Sequence, residues 1–176
     1  MLRILSFFLA VTASLTIAAC STSGWTKMGQ PLSQPIPPGK SVSLSVGIDT
    51  PEHQTDVDFQ LVTTRVRQEL FAKLMSEGIF SSVLLGPQPA DYDMTVTVYS
   101  ASVVSGTARY WEELMAGHNN ARMKVKVVRN DDNLVIAEFE VDGTSTSQPF
   151  SSEAGTDDVV REATDRIVRG LRQHNP

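Results

Sequence analysis

Met123-Lys124-Val125-Lys126-Val127 and Val135-Ile136-Ala137-Glu138-Phe139-Glu140-Val141-Asp142 are the two runs whose reading decides the fold. In the first, apolar residues alternate with Lys124 and Lys126. In the second, Val135, Ala137, Phe139 and Val141 alternate with Ile136, Glu138, Glu140 and Asp142. A period of two marks a strand with one face buried and the other in water. Setting Lys126 opposite Glu138 and Lys124 opposite Glu140 also sets Val125 opposite Phe139 and Met123 opposite Val141. That register leaves Asp131-Asp132-Asn133 as a three-residue loop, with Asn133 tolerant of the left-handed conformation. A slip of one residue would bury lysine on the apolar face.

Working outward, Val42, Leu44, Val46 and Ile48 alternate with Ser43, Ser45 and Gly47 until Pro51 ends the run. Met94, Val96 and Val98 alternate within Asp93 to Val104, and Phe80 to Leu85 reads as a strand running into Gly86-Pro87-Gln88-Pro89. Between them Phe59, Val62, Val66, Leu70 and Leu74 recur at three- and four-residue spacing, the stripe of an amphipathic helix. Asp56 suits its N-cap, Glu69 and Lys73 form a favourable i,i+4 pair, and Gly78 suits the C-terminal stop. A second helix is predicted from Thr156 as its cap, with Asp157 and Asp158 at the positive end of its dipole. Val160, Ala163, Ile167 and Leu171 make its buried stripe, and Arg169 and Arg172 suit its other end. The expected class is α+β: an antiparallel sheet of about five strands with two amphipathic helices packed on one face.

The N-terminal residues give an address. Arg3 is followed by an apolar stretch from Ile4, and small residues precede Cys20, the anatomy of a secretory signal over 1–19. Its apolar core is shorter than the roughly 20 residues needed to cross a bilayer. The run Ile17-Ala18-Ala19-Cys20 resembles a bacterial lipobox, which implies cleavage before Cys20 and lipidation there, palmitate among the acyl chains. Ser21, rather than Asp, in the next position implies passage to the outer membrane, with the body facing the periplasm. Two or three acyl chains hold firmly where one binds only reversibly. Residues 20–39, rich in Ser, Thr, Gln and Pro, read as a flexible lipid-anchored linker stiffened by Pro35-Ile36-Pro37-Pro38. The alternative is a strap along the domain, anchored by Trp25. A single α+β domain is expected over 40–174.

Composition narrows the classes. The chain has 15 basic and 20 acidic residues, and without Arg3 the balance is 14 against 20, a net charge of −6. No basic stripe marks a nucleic-acid partner. Cys20 is the sole cysteine. A disulfide, a cysteine nucleophile, a thiolate zinc site and a cysteine-ligated iron–sulfur cluster are therefore excluded from the domain.

Ala90-Asp91-Tyr92 opening a strand, Ala121 to Val127, Leu134-Val135-Ile136-Ala137-Glu138-Phe139 and a final helix from near Asp157 together resemble a bacterial lipoprotein family, domain of unknown function 4410. The first helix and Gly78-Ile79-Phe80 fit the family's upstream portion. The resemblance implies an outer-membrane-tethered α+β domain and carries no catalytic residues.

Chemical motifs are sparse. Pro38-Gly39-Lys40-Ser41 echoes the end of a phosphate-binding loop, but Gln34 stands where its first glycine belongs and a strand follows, so no backbone cradle forms. His53, His118 and His174 share no metal-ligand spacing. His118 with Glu112 and Glu113 could make only a loose oxygen–nitrogen site, and solvated loop residues are the expectation. Asp91 and Asp93 share a face by alternation, which suits either acid–base work or an exposed charged strand start. No nucleophile elbow is present. No metal, cofactor or catalytic residue is expected. Arg109-Tyr110-Trp111-Glu112-Glu113-Leu114-Met115 gathers residue types enriched at interfaces. Tyr110, Trp111, Leu114 and Met115 are the candidate contacts to an envelope protein or the membrane, against a role capping one end of the sheet. The expected function is a non-enzymatic binding or envelope-assembly module, held to the membrane through acyl chains on Cys20. The alternative is an envelope hydrolase or small-ligand carrier with an unrecognised polar site.

Overall fold

A computed structural model describes residues 26–30, 32–103, 119–145 and 152–172. The elements are β1 (Thr26–Gln30), β2 (Ser41–Ile48), a short 3-10 turn (Glu52–Thr55), α1 (Val57–Glu77), β3 (Ser82–Leu85), β4 (Tyr92–Ser102), β5 (Asn119–Arg129), β6 (Leu134–Ser145) and α2 (Ser152–Arg172). The β5–β6 hairpin takes the expected register: Lys126 faces Glu138, Val125 faces Phe139, Lys124 faces Glu140 and Met123 faces Val141. Its turn is one residue longer than expected. A bulge between Val127 and Val128 leaves Ile136 without a facing residue, so the turn runs from 130 to 133. Asn133 takes the left-handed conformation at φ 55°. A bulge adds one residue to one strand and shifts the pairing beyond it.

Among the described residues the sheet has six strands in the order β1-β6-β5-β4-β2-β3. It is mixed, a correction to the antiparallel sheet of about five strands. β2 pairs in parallel with both β3 and β4, while β4-β5-β6 and β1-β6 are antiparallel. The physical cause is α1: a 21-residue helix between β2 and β3 gives the long crossover that parallel neighbours require. The Phe80 to Leu85 strand shortens to Ser82–Leu85, and Phe80 instead lies buried with its ring centre 6.1 Å from that of Tyr92.

Helix α1 starts and stops where its sequence says. The Asp56 side chain accepts from the backbone N–H groups of Asp58 and Phe59, and Gly78 ends the helix at φ 65°. Its buried face is Phe59, Val62, Thr63, Val66, Leu70 and Leu74. Helix α2 begins at Ser152 rather than at a Thr156 cap, so Thr156 sits buried inside it, one turn in. Val160, Ala163, Ile167 and Leu171 are buried as expected, joined by Val159 and Val168.

Both helices cover one face of the sheet and run parallel to each other. Lys73 of α1 meets Asp165 of α2 at 2.5 Å, Arg65 meets Asp157 at 3.6 Å, and Glu77 meets Arg172 near the two C-termini. The core lies between helices and sheet, with Met94, Val96, Val98, Met123, Val125, Val127, Phe139 and Val141 filling it from the strands. Two glycines permit close docking of α2: a Cβ on Gly143 would stand 2.4 Å from the Val159 carbonyl oxygen, and one on Gly170 would stand 3.1 Å from the Phe139 ring.

Residues 26–30 and 32–39 do not form the expected flexible linker. Thr26–Gln30 add an edge strand to β6, and Leu32 and Ile36, only 3% and 2% exposed, close one end of the core. The Ser33 N–H donates to the Ile136 carbonyl at 2.8 Å, and Arg129 donates to the Gln34 side chain at 2.9 Å. The segment is a strap. Burial of two large aliphatic side chains, worth about 1.5–3 kcal/mol each, offsets the ordering of a short proline-stiffened stretch.

Candidate functional site

The strap, the starts of β2 and β4, and the β5–β6 turn converge at one end of the sheet. They line a depression of about 430 Å³ bounded by Pro37, Lys40, Ala90, Asp91, Tyr92, Arg129, Asn130 and Asp131. Parallel pairing of β2 with β4 sets Val42 beside Tyr92 and so brings the preceding residues of both strands together. Lys40 Nζ lies 2.8 Å from Asp91 Oδ1, while the Ser41 N–H and hydroxyl both donate to Asp91 Oδ2, at 2.8 and 2.7 Å. The Ser41 oxygen in turn accepts from the Asp91 N–H at 3.0 Å. The Lys40 ammonium first, then the Ser41 donors, hold the Asp91 carboxyl well below the usual carboxylate range. Asp91 also raises the Lys40 ammonium. Hydrogen bonding to the charged form keeps the carboxylate ionised at any physiological pH, so Asp91 is a clasp between strands and not a general acid.

The turn beside it is held the same way. Asp132 accepts from Arg129 at 3.1 and 2.5 Å and from the Leu134 N–H at 3.2 Å, and Arg129 Nε also lies 3.0 Å from Asp131. Asn130 ties the turn to β4 through the carbonyls of Ala90 and Asp91. Asp131 and Asp132 are thus turn residues. Asp93, one step into β4, is exposed on the uncovered sheet face and stands apart from the clasp. The phosphate-loop echo is resolved too: Lys40 is engaged by Asp91 and Ser41 opens a strand.

The uncovered face of the sheet is the second surface. Lys27, Lys124, Lys126, Glu138 and Glu140 project there beside Thr95 and Thr97. Lys124 pairs diagonally with Glu138 at 2.5 Å rather than with the facing Glu140. That bond raises the Lys124 ammonium and lowers the Glu138 carboxyl. Another hollow, about 290 Å³, lies between the helices and is lined by Arg65, Gln68, Glu69, Asp157, Val160 and Arg161.

Cys20, Trp25, Tyr110, Trp111, Leu114 and Met115 lie outside the described residues, as do His118, Glu112, Glu113 and His174. The interface-like segment leaves the described chain at Val103 and re-enters at Asn119, beside the paired Ser102 and Asn120. Of the histidines, His53 is described: it lies 2.8 Å from Asp49 and stacks on Phe59 at 4.2 Å. Among the described residues no three His, Cys, Asp or Glu side chains gather in a way that could hold a metal ion, and no helix is long and apolar enough to cross a membrane. The Lys40–Asp91–Ser41 clasp had no sequence signal, because it depends on two strands about fifty residues apart lying parallel.

The family described as Domain of unknown function (DUF4410) matches residues 32–149 of the sequence. The chain belongs to that family. The match begins at the strap and ends before α2. No curated protein matches the chain. Among solved structures, the PelC dodecamer from Paraburkholderia phytofirmans is similar at a TM-score of 0.54 and 15% identity, covering 84% of this chain and 96% of that one. A protein of Xanthomonas campestris assigned to family DUF330 is similar at a TM-score of 0.50 and 13% identity, with 81% and 88% covered. At these identities the likeness is one of fold.

Proposed function

We propose that this chain is an outer-membrane lipoprotein, anchored by acyl chains on Cys20 and facing the periplasm, that works as a non-enzymatic binding or envelope-assembly module. The observation that carries the reading is the sheet face opposite the helices, where β1, β4, β5 and β6 hold Lys27, Lys124, Lys126, Glu138 and Glu140 on a broad surface with no helix over it among the described residues. Charge spread over rigid strands favours recognition of another macromolecule, since complementary potentials set orientation and partner choice. The polar groups in the depression at the strap-and-turn end support the same reading, because they are engaged within the fold: Lys40 with Asp91, and Arg129 with Asp132. Tyr110, Trp111, Leu114 and Met115 belong to the proposal as a second contact. PelC, of the same fold, is a dodecamer; self-association is one form such assembly takes.

In-cell photo-crosslinking tests it, with the crosslinker placed at Lys126, at Trp111 and at Thr64 on the exposed side of α1. Adducts of discrete mass from 126 or 111, with none from 64, are expected, and self-association would appear as multiples of the chain. Equal or no adducts from all three positions would overturn the module. Lipidation is read separately: the wild-type chain should incorporate a palmitate analogue, and Cys20→Ser should not.

A further inference from the structure

We infer that the domain is held with the end bearing both helix N-termini against the bilayer surface and the strap-and-turn end pointing away from it. This rests on the anchoring at Cys20 proposed above. The argument starts from the direction of β1. It runs antiparallel to β6, with Thr26 opposite Val141 and Gln30 opposite Glu138, so the chain enters the sheet from the C-terminal side of β6. The pairs Val141–Met123, Met123–Val98 and Val98–Ile48 put Thr26 level with the end of β2. Beyond that level lie the last residues of β4 and β6 and the starts of α1 and α2.

Chain length does the rest. From Cys20 to Thr26 is six residue steps, a span of at most about 20 Å even when fully extended. From the level of Val141 down β6 to Leu134 is seven residues, about 23 Å at strand rise, before the turn at 130–133 is added. The tether is therefore too short for the domain to stand upright on that turn with Cys20 in the same lipid plane. It is long enough for the opposite end to meet that plane.

The chemistry of that end fits a lipid surface. Val57, 74% exposed, and Leu61 one turn later form an apolar pair on the first turns of α1. Among the described acidic groups around them, Glu52 faces water and the others are engaged within the fold. Asp56 caps α1, Asp58 accepts from the Val103 N–H at 2.9 Å, Asp49 holds His53, Asp157 faces Arg65 and Asp158 pairs with Arg161. Matched in this way, these five carboxylates leave Glu52 as the unpaired negative charge among the described residues of that end.

The test uses the full lipidated protein in phosphatidylethanolamine–phosphatidylglycerol vesicles. Cys20 is the sole cysteine and its sulfur is acylated, so Val57→Cys, Lys27→Cys and Asp131→Cys each carry one free thiol for a donor dye. Energy transfer to acceptor-labelled headgroups should give the shortest distance at 57, an intermediate one at 27 and the longest at 131. The difference between 57 and 131 should be at least about 20 Å, the strand length set out above. Fifteen Gly/Ser residues inserted after Thr22 should shrink that difference. A probe at 131 as near the lipid as one at 57, or a probe at 27 nearer than either, overturns the orientation. A mature N-terminus without acyl chains by mass spectrometry overturns the anchoring itself.

Discussion

Replacing Gly143 with alanine would test whether α2 is seated on the sheet by a missing side chain. The added Cβ would stand 2.4 Å from the Val159 carbonyl oxygen, 3.1 Å from the Ala163 Cβ and 3.3 Å from the Ala163 nitrogen. Two of those three atoms are helix backbone, so the strain cannot be relieved by a rotamer change; α2 must retreat by about 1 Å. A gap of that size forfeits a quarter to a half of the dispersion energy across the affected contacts. Val159, Val160, Ala163 and Ile167 all lie in that interface. The cost should reach the upper part of the overpacking range, about 3 kcal/mol. For a domain of this size that lowers Tm by roughly 6–12 °C. Urea unfolding followed by circular dichroism measures it. Gly47→Ala is the control, since a Cβ there meets nothing within 4 Å; its effect should stay within about 0.5 kcal/mol. Ala163→Gly in the Gly143→Ala background should recover little, because the Val159 oxygen remains in place. A loss under about 1 kcal/mol for Gly143→Ala, or full recovery in the double variant after correction for the helix cost of glycine, would refute the reasoning.

Two further outcomes follow from the caps and the clasp. Asp56→Ala removes the acceptor for two N–H groups at the start of α1 and should cost about 1 kcal/mol in chemical denaturation; Asp56→Ser should recover most of it. The Asp91 carboxyl is depressed from its ordinary value of 3.8 by Lys40 and Ser41. Its contribution is complete above that value and declines as pH falls below it. Asp132 and Glu138 act in the same direction. Asp91→Asn should therefore lower stability at pH 7 and flatten the acid limb of a Tm-versus-pH profile below about pH 4. A wild-type acid limb unchanged by the substitution would contradict the clasp.

Much of the architecture could be read from residues whose signals are local. Helix α1 carries its own cap, its stripe from Phe59 to Leu74 and its glycine stop. The β5–β6 register followed from two lysines and two glutamates whose displacement by one position would bury charge. What escaped was non-local. Val42 to Ile48 alternate cleanly because the two described helices lie on the same face of the sheet, and that same pattern is the signature of an antiparallel strand. The parallel partners of β2 were therefore hidden by a one-sided environment. Thr26-Lys27-Met28-Gly29-Gln30 has no alternation, yet it forms a strand because β6 offers an unpaired edge. Gly155 and the polar run Thr156-Asp157-Asp158 mimic a helix start, but the observed helix begins earlier and carries them inside it. The Lys40–Asp91 pair arises from that same parallel pairing, and so it was out of reach of any motif.

The pairing of β1 with β6 has a consequence for the order of assembly. Gln30 hydrogen-bonds to Val135 across 105 positions of chain, so the first strand to be synthesised finds its neighbour among the last. Closing so long a loop is slow compared with forming a hairpin or helix. The β4-β5-β6 meander can associate early, while β1 waits. Docking of that strand to the body is thus a late event in maturation, completed only after the newest part of the molecule has folded.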